Sequence, residues 1–263
     1  MMIQSVRAID IHSHLNHGSR FDAKSGGRLD SADLDYLREM YRAANIETAF
    51  LSTFASVISA EDVTEENRYL TDLVRREKNI FQWVVVEPRN EESFRQAEEL
   101  LGTEKCVGVK LHPPYHKYSF AEYGDRIFSR LAEHSPIVLI HPEKEADYIL
   151  PFADRYPSIT FIMAHMGSFG DEDCYANAIR RAKHGNVWVD TSGMASMHNR
   201  VVEYTVGLVG SEHILFGTDT YASGFQRGRI EYALISEEDK RNILRDNALR
   251  LFGRWLSFAE RSE

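Results

Sequence analysis

Cysteine is scarce in this chain: of 263 residues only two, Cys106 and Cys174, are cysteines, far apart and in no C-x-x-C or Cys/His spacing. That excludes a disulfide scaffold and a thiolate metal site, and leaves two reduced thiols filling core space. Long apolar runs are missing as well. No segment approaches the ~18 consecutive apolar residues that a membrane span requires. The opening stretch MMIQSVRAIDIHSHL is broken by Arg7, Asp10 and His12, so it lacks the uninterrupted apolar region of a secretory signal. A cytoplasmic protein with no membrane partner is the expectation. Basic runs are also absent: 31 Lys and Arg against 40 Asp and Glu leave a formal charge of -9, and no stretch could follow a phosphate backbone. Nucleic acid is therefore not expected as a partner. After the first apolar run comes HSHLNHGSRF instead of a GxGxxG turn, which removes the support for a dinucleotide-binding sheet.

What is present is ordinary globular composition, 43% apolar and 27% charged, with no internal repeat and no Pro/Ser-rich linker. Eight short runs of β-branched and aromatic residues read as strands: VRAIDI (6–11), ETAFLST (47–53), IFQWVVV (80–86), VGVKLH (107–112), PIVLIH (136–141), ITFIMAH (159–165), VWVDTS (187–192) and HILFGTD (213–219). Segments of helical period separate them. DLDYLREMYRAANI places Leu34, Leu37, Tyr41 and Ala44 on one face. EEDKRNILRDNALRLF follows a capping-box spacing from Ser236 to Asp239 and is expected to end before Gly253, a residue suited to a left-handed cap. Regular βα units over the whole length predict an α/β fold, a single (β/α)8 TIM barrel over residues 1–263, with its site at the C-terminal ends of the strands. The polar stretch from Asn16 to Asp30 reads as a long first βα loop.

Five of the eleven histidines, His12, His14, His112, His141 and His165, stand at or just past expected strand ends. His12 and His14 are two apart, which on an extended strand turns both imidazoles to one side, close enough to share a metal. The strands that end at His112, His141 and His165 add further imidazoles, and the eighth ends in Asp219. Imidazole and carboxylate together suit a divalent ion, zinc first, with manganese, iron and nickel as alternatives. An open coordination position beside Asp219 would hold a water made acidic by the metal, with Asp219 as its general base.

IDIHSHL, GVKLHP, VLIHP, FIMAHMG and LFGTD, followed by SEEDKRNILRDNALRLFG, resemble the amidohydrolase superfamily, specifically its amidohydrolase-related (amidohydrolase-2) branch. The resemblance implies that His12, His14, His141 and Asp219 ligate the metal, one ion being expected and two being the alternative. It implies that His165 polarises the substrate or the attacking water, or joins a second metal. Lys110 matches a position that in some members is carbamylated and bridges two metals; otherwise its ammonium holds a substrate carboxylate, the preferred reading. Asp219, His165 and Lys110 are thus the catalytic candidates.

His112 shares the facing of Lys110 and is a candidate substrate contact, a support for a ligand, or a hydrogen-bonded strand-end histidine. Arg89 after the third strand and Tyr115 and His116 after the fourth are further candidate contacts, as is Ser192 after the seventh. Asp190 shares a face with Ser192 and is placed to orient a neighbour. Arg227 and Arg229 meet an anion or, by default, lie in solvent. His17, His134, His184, His198 and His213 receive no role.

The branch contains hydrolases, non-oxidative decarboxylases and hydratases, so fold and family leave the reaction open. A metal-dependent hydrolase using metal-activated water on a small-molecule amide, lactone or ester is expected first. A metal-dependent decarboxylase comes second, because decarboxylases of the branch tend to be longer chains with inserted helices. A TatD-type nuclease comes third: that family carries a Glu where this chain has GVKLHP. A binding module without catalysis would have a defective ligand set. The partner is a small molecule, with homo-oligomerisation left open.

Overall fold

The computed structural model describes residues 3–16, 33–194, 198–220 and 222–260. Beyond Asn16, the expected first loop, with His17, lies outside them. Eight parallel strands follow one another round a barrel in chain order: β1 Ala8–Leu15, β2 Ile46–Thr53, β3 Ile80–Val85, β4 Cys106–Leu111, β5 Ile137–Ile140, β6 Thr160–Met163, β7 Val187–Asp190 and β8 Ile214–Leu215. The seam between β8 and β1 is joined by the Ile11 amide donating to the Phe216 carbonyl at 3.0 Å. This is the expected (β/α)8 barrel.

Two apolar layers hold it. Inside the barrel, Ile9, Ile11, Phe50, Phe81, Trp83, Leu139, Ile162, Trp188 and Leu215 pack into one cluster. Outside, alternate residues of the same strands, such as Val84, Val109, Val138 and Phe161, pack against the helices. The helix α1, Leu34–Ala43, starts at Asp33, whose carboxylate accepts from the Tyr36 amide at 2.9 Å, and it buries Leu37 and Tyr41 as its pattern requires.

The last helical segment departs from expectation. Ser236 forms the capping box, but Gly253 does not end the helix; after a π-helical turn at Asn242–Asp246 the final helix runs Asn247–Glu260, through Gly253. Burial explains the override. Phe252, Trp255 and Leu256 join the interior cluster, and Trp255 Nε1 donates to the Thr103 carbonyl at 3.1 Å. Adding those rings to the core outweighs the roughly 1 kcal/mol cost of a helical glycine.

The strands β3 to β8 also end earlier than the sequence suggests, whereas β1 runs on past Ile11 to Leu15 and β2 ends at Thr53 as expected. His141, His165, Ser192 and Asp219 all lie past the last ladder residue. His165 and Asp219 take left-handed backbone, with φ of 66° and 57°, which turns the chain out of the sheet at the residues that face the site.

Candidate active site

Two strands and their exits build the centre. The β1–β2 register slips between Asp10 and Ser13. Without that slip, a period of two would send His12 to the face opposite Ile9 and Ile11; the extra residue returns the chain to the barrel interior at His12 and His14. Their rings stand 5.2 Å apart, edge to face. The Asp219 amide donates to the His12 carbonyl at 2.8 Å, which brings the β8 exit alongside. His14 Nε2 is then 3.0 Å, and His12 Nε2 3.6 Å, from Asp219 Oδ1.

His12, His14 and Asp219 offer donor atoms within 4.8 Å of one another, and so do His12, His165 and Asp190. His141, expected as a ligand, belongs to neither group. It stands one ring beyond, its Nδ1 3.0 Å from His165 Nε2.

The tautomers follow from the partners. Ser192 Oγ donates to Asp190 Oδ1, so toward the rings it accepts. His12 Nδ1–H points at Asp190 Oδ2 and Ser192 Oγ, both at 2.8 Å, leaving Nε2 as that ring's lone pair. His165 Nδ1–H donates to the Ser192 carbonyl at 3.0 Å, so its Nε2 accepts from His141 Nδ1–H, which leaves His141 Nε2 with that ring's lone pair. His14 Nδ1 meets the Ser52 hydroxyl at 2.9 Å, a group able to give or take the proton.

Burial pushes the His12, His14 and His141 imidazoles below their ordinary value, so they are neutral. Burial alone would raise the Asp219 carboxyl, but the His165, His14 and His12 rings around it outweigh burial and hold it well below the usual carboxylate range. Neutral imidazoles braced by carboxylate and hydroxyl, next to an ionised carboxylate, are the donor set a divalent cation requires.

Lys110 is fully buried, and its Nζ lies 2.9 Å from His12 Nε2. Burial lowers its pKa to about 8, against the pull of Asp219 and Asp190, so it remains mainly ammonium at neutral pH. His112 stacks on His141 at 4.0 Å and under Tyr115 at 4.5 Å, with its Nδ1 accepting from the Tyr115 amide at 3.3 Å. Tyr115 is 57% exposed, so the stack runs from solvent to the donor cluster.

Other candidates are spent elsewhere. Arg89 is bound to Glu87 at 2.5 Å and to the His116 carbonyl at 2.6 Å. His116 is buried, its Nε2 donating to the Ser56 carbonyl at 2.9 Å. Arg227 is not solvated: it is buried, donates to the carbonyls of Asn45, Ile3 and Val6 and pairs with Glu231, so it fastens the N-terminal segment. Arg229 donates to the His198 carbonyl at 2.6 Å. A backbone carbonyl at the end of a loop attracts a guanidinium as readily as a substrate does, and sequence does not separate the two.

Two sets of residues escaped the sequence. One is a hydroxyl network behind the site: Tyr41 donates to Ser13, Ser13 meets Thr220 at 2.9 Å, and Thr218 donates to Asp10 at 2.6 Å. The hydroxyls flanking Asp219 in GTDT and those of IDIHSH were its only signal. The other is a pair of aromatic rings: Phe54 lies 4.6 Å from His14, and Phe169 lies 5.2 Å from His141 and 6.1 Å from His165. Phe54 opens the short helix Phe54–Ile58 directly after β2 and Phe169 lies in the loop after β6, with no pattern that marks either.

A family model described as amidohydrolase matches residues 9–254. Among solved structures, the chain is similar to 5-carboxyvanillate decarboxylase of Sphingomonas paucimobilis, with TM-score 0.71, 15% identity, and coverage of 95% of this chain and 99% of that one. It is similar to the 5-carboxyvanillate decarboxylase of Novosphingobium aromaticivorans complexed with manganese and 4-hydroxy-3-methoxy-5-nitrobenzoic acid, with TM-score 0.72, 16% identity, and coverage of 95% and 97%. It is also similar to a Pseudomonas putida protein assigned as a 2-pyrone-4,6-dicarboxylic acid hydrolase, with TM-score 0.65, 20% identity, and coverage of 95% and 98%. No curated protein sequence matches the chain. At these identities the likeness is one of fold. Coverage of 99% and 97% of the two decarboxylase chains removes compactness as a ground for setting this chain apart from them.

Proposed function

The chain belongs to the amidohydrolase family and is an enzyme of it; from that premise we propose that it is a divalent-metal-dependent, non-oxidative decarboxylase of a planar aromatic or conjugated carboxylic acid. The observation that carries this reading is the composition of the site walls. Flat rings, Phe54, Phe169 and the His112–Tyr115 stack, flank a cluster that contains one buried ammonium, Lys110. Rings favour a planar partner by offset or edge-on stacking, and a buried ammonium favours a carboxylate. Decarboxylases of aromatic acids recur among the solved structures of this fold, one of them with manganese and a nitrobenzoic acid bound.

His12, His14 and Asp219 would hold the ion, with His141 as the next nitrogen, and the ion when bound would polarise a substrate oxygen. Manganese is the ion present in a similar structure; zinc suits the same donors. Lys110 would bind and orient the substrate carboxylate. The rings would hold the substrate plane and exclude water. Loss of CO2 from an aromatic acid requires a proton at the ring carbon that bears the carboxylate. The carbon–carbon bond then breaks, its electron pair restores the aromatic ring, and CO2 departs, so that ArCO2⁻ and H⁺ give ArH and CO2. Asp219, held ionised, would first take up a proton, with His165 beside it as the relay from solvent, and then pass it to that ring carbon.

A specific observation favours hydrolysis as the second reading. An ionised Asp219 beside a metal position is also the base that an attacking water would need, and a protein assigned as a pyrone hydrolase shares the fold. Isotope labelling separates the two. Hydroxybenzoic and methoxybenzoic acids, and separately a pyrone lactone, are incubated with manganese-loaded protein in ¹⁸O water. Released CO2 with a product lacking a carboxyl supports decarboxylation; ¹⁸O in a product carboxylate with no CO2 overturns it.

A further inference from the structure

His12 has one lone pair to give. Its Nδ1–H is committed to Asp190 and Ser192, so Nε2 is the ring's acceptor, and Lys110 Nζ lies 2.9 Å from it. A divalent ion held by His12, His14 and Asp219 would need that same lone pair. An ammonium and a metal ion cannot both take it, since each binds along the single sp² direction of the imidazole nitrogen.

Lys110 has no neutral refuge nearby. It is fully buried, and the charges that draw it are the Asp219 and Asp190 carboxylates of the same cluster. In the fold, therefore, Lys110 satisfies His12 and offsets buried negative charge, the two tasks a bound cation would perform.

We propose that Lys110 and the metal ion compete for His12 Nε2, so that loading the metal releases the Lys110 ammonium into the pocket, where it binds the substrate carboxylate. This rests on the metal reading made above. The consequence is a coupling: repulsion between the incoming dication and the ammonium turns Lys110 away from His12, and a substrate carboxylate relieves that repulsion. Metal and carboxylate then bind with positive linkage, each raising the affinity of the other by the same factor.

The test measures manganese affinity by competition with a fluorescent chelator, on chelator-stripped wild type and on Lys110→Met, which keeps the length of the side chain and removes its charge. Tightening by tenfold or more in Lys110→Met is expected, because the competitor is gone. Should Lys110→Met fail to fold, Lys110→Gln removes the same charge, and tighter binding is expected again. Unchanged affinity overturns the proposal. So does weaker affinity, which would make Lys110 itself a ligand, with a carbamate visible by ¹³C NMR in labelled bicarbonate. The second readout is benzoate binding by calorimetry, expected in manganese-loaded wild type, far weaker without manganese, and lost in Lys110→Met with the metal present. Benzoate binding equally well with and without manganese overturns the linkage. If wild type binds no manganese at all, the metal reading falls together with the proposal, a failure distinct from an affinity that the substitution leaves unmoved.

Discussion

The Asp190 carboxylate accepts the Nδ1–H of His12 at 2.8 Å, and that bond joins the end of β7 to the middle of β1. Asp190 accepts from three further donors, the amides of His165 and Ser192 and the Ser192 hydroxyl. One carboxylate thus sets the tautomer of His12 and anchors the backbone of His165, two residues that sequence treats as independent.

Asp190→Asn places an amide NH2 among groups that are all donors. His12 loses part of the interaction that orients its ring and makes Nε2 a strong ligand. Metal affinity should fall by about 10- to 100-fold, the usual cost of losing a support to a metal-binding histidine, with the circular dichroism spectrum preserved. Chelator competition measures the affinity. Wild-type affinity in Asp190→Asn would remove His12 from the metal site.

How far the site was legible depends on what each residue does. His12, His14, His165 and Asp219 were legible because ligand chemistry restricts residue type, and because a barrel gathers its strand ends on one face. Even Asp190 carried a signal in its two-residue spacing from Ser192. His141 was readable as a strand-end histidine, but its place one ring outside the three-donor group was not. The register slip in β1 depends on how β2 pairs with it, and the positions of Phe54 and Phe169 depend on how the chain turns as it leaves β2 and β6. Such properties belong to tertiary packing and leave no local pattern. Gly253 was misread for a related reason: a glycine reads as a cap until the burial of Trp255 and Leu256 extends the helix past it.

Histidine burial fixes the pH dependence of stability. His12, His14, His112, His116, His141 and His213 all have folded values pushed below the ordinary 6.5, by burial first. As pH falls below about 6.5 the unfolded chain takes up protons that the folded chain refuses, so the stability present above that pH is lost on acidification. Asp10 acts oppositely: burial raises its folded value to about 7, so its contribution is full below the ordinary 3.8 and declines as pH rises through about 7. Six groups outweigh one. Urea midpoints of chelator-stripped protein should rise from about pH 5.5 to about pH 7.5. His116→Gln keeps a donor for the Ser56 carbonyl and removes one titrating ring, so it should reduce the slope by up to about 1.4 kcal/mol per pH unit. A flat or falling profile in wild type would contradict this account.

Gly108 tests the packing under the site. A Cβ there would meet the Ile137 carbonyl and the Trp83 ring, neither of which can withdraw without moving β5 or the interior cluster. Gly108→Ala should cost about 3 kcal/mol in urea unfolding, at the upper end of overpacking effects. A loss below about 1 kcal/mol would mean that the barrel relaxes far more easily than its packing implies.

Asp219 tells metal binding from chemistry. Its carboxylate is held ionised by His165, His14 and His12 and stands 3.0 Å from His14 Nε2. In Asp219→Asn the side chain keeps an oxygen that can ligate, but an amide neither accepts nor delivers a proton near neutral pH. Manganese should still bind, more weakly because one negative charge is gone, and saturating metal should restore occupancy. Turnover should not return with occupancy; kcat should remain down by a factor on the order of 10² to 10⁴, the range for removing general acid-base help. His165→Asn should leave occupancy close to wild type and also lower kcat, because the relay is lost while His12, His14 and Asp219 remain. The pair of variants gives a split that a purely structural role would not produce: occupancy recoverable in both, turnover recoverable in neither. If Asp219→Asn at full occupancy turns over near the wild-type rate, Asp219 serves only to hold the metal, and the proton that replaces CO2 must reach the ring carbon from another group, with Lys110, already buried in the cluster, the first to test.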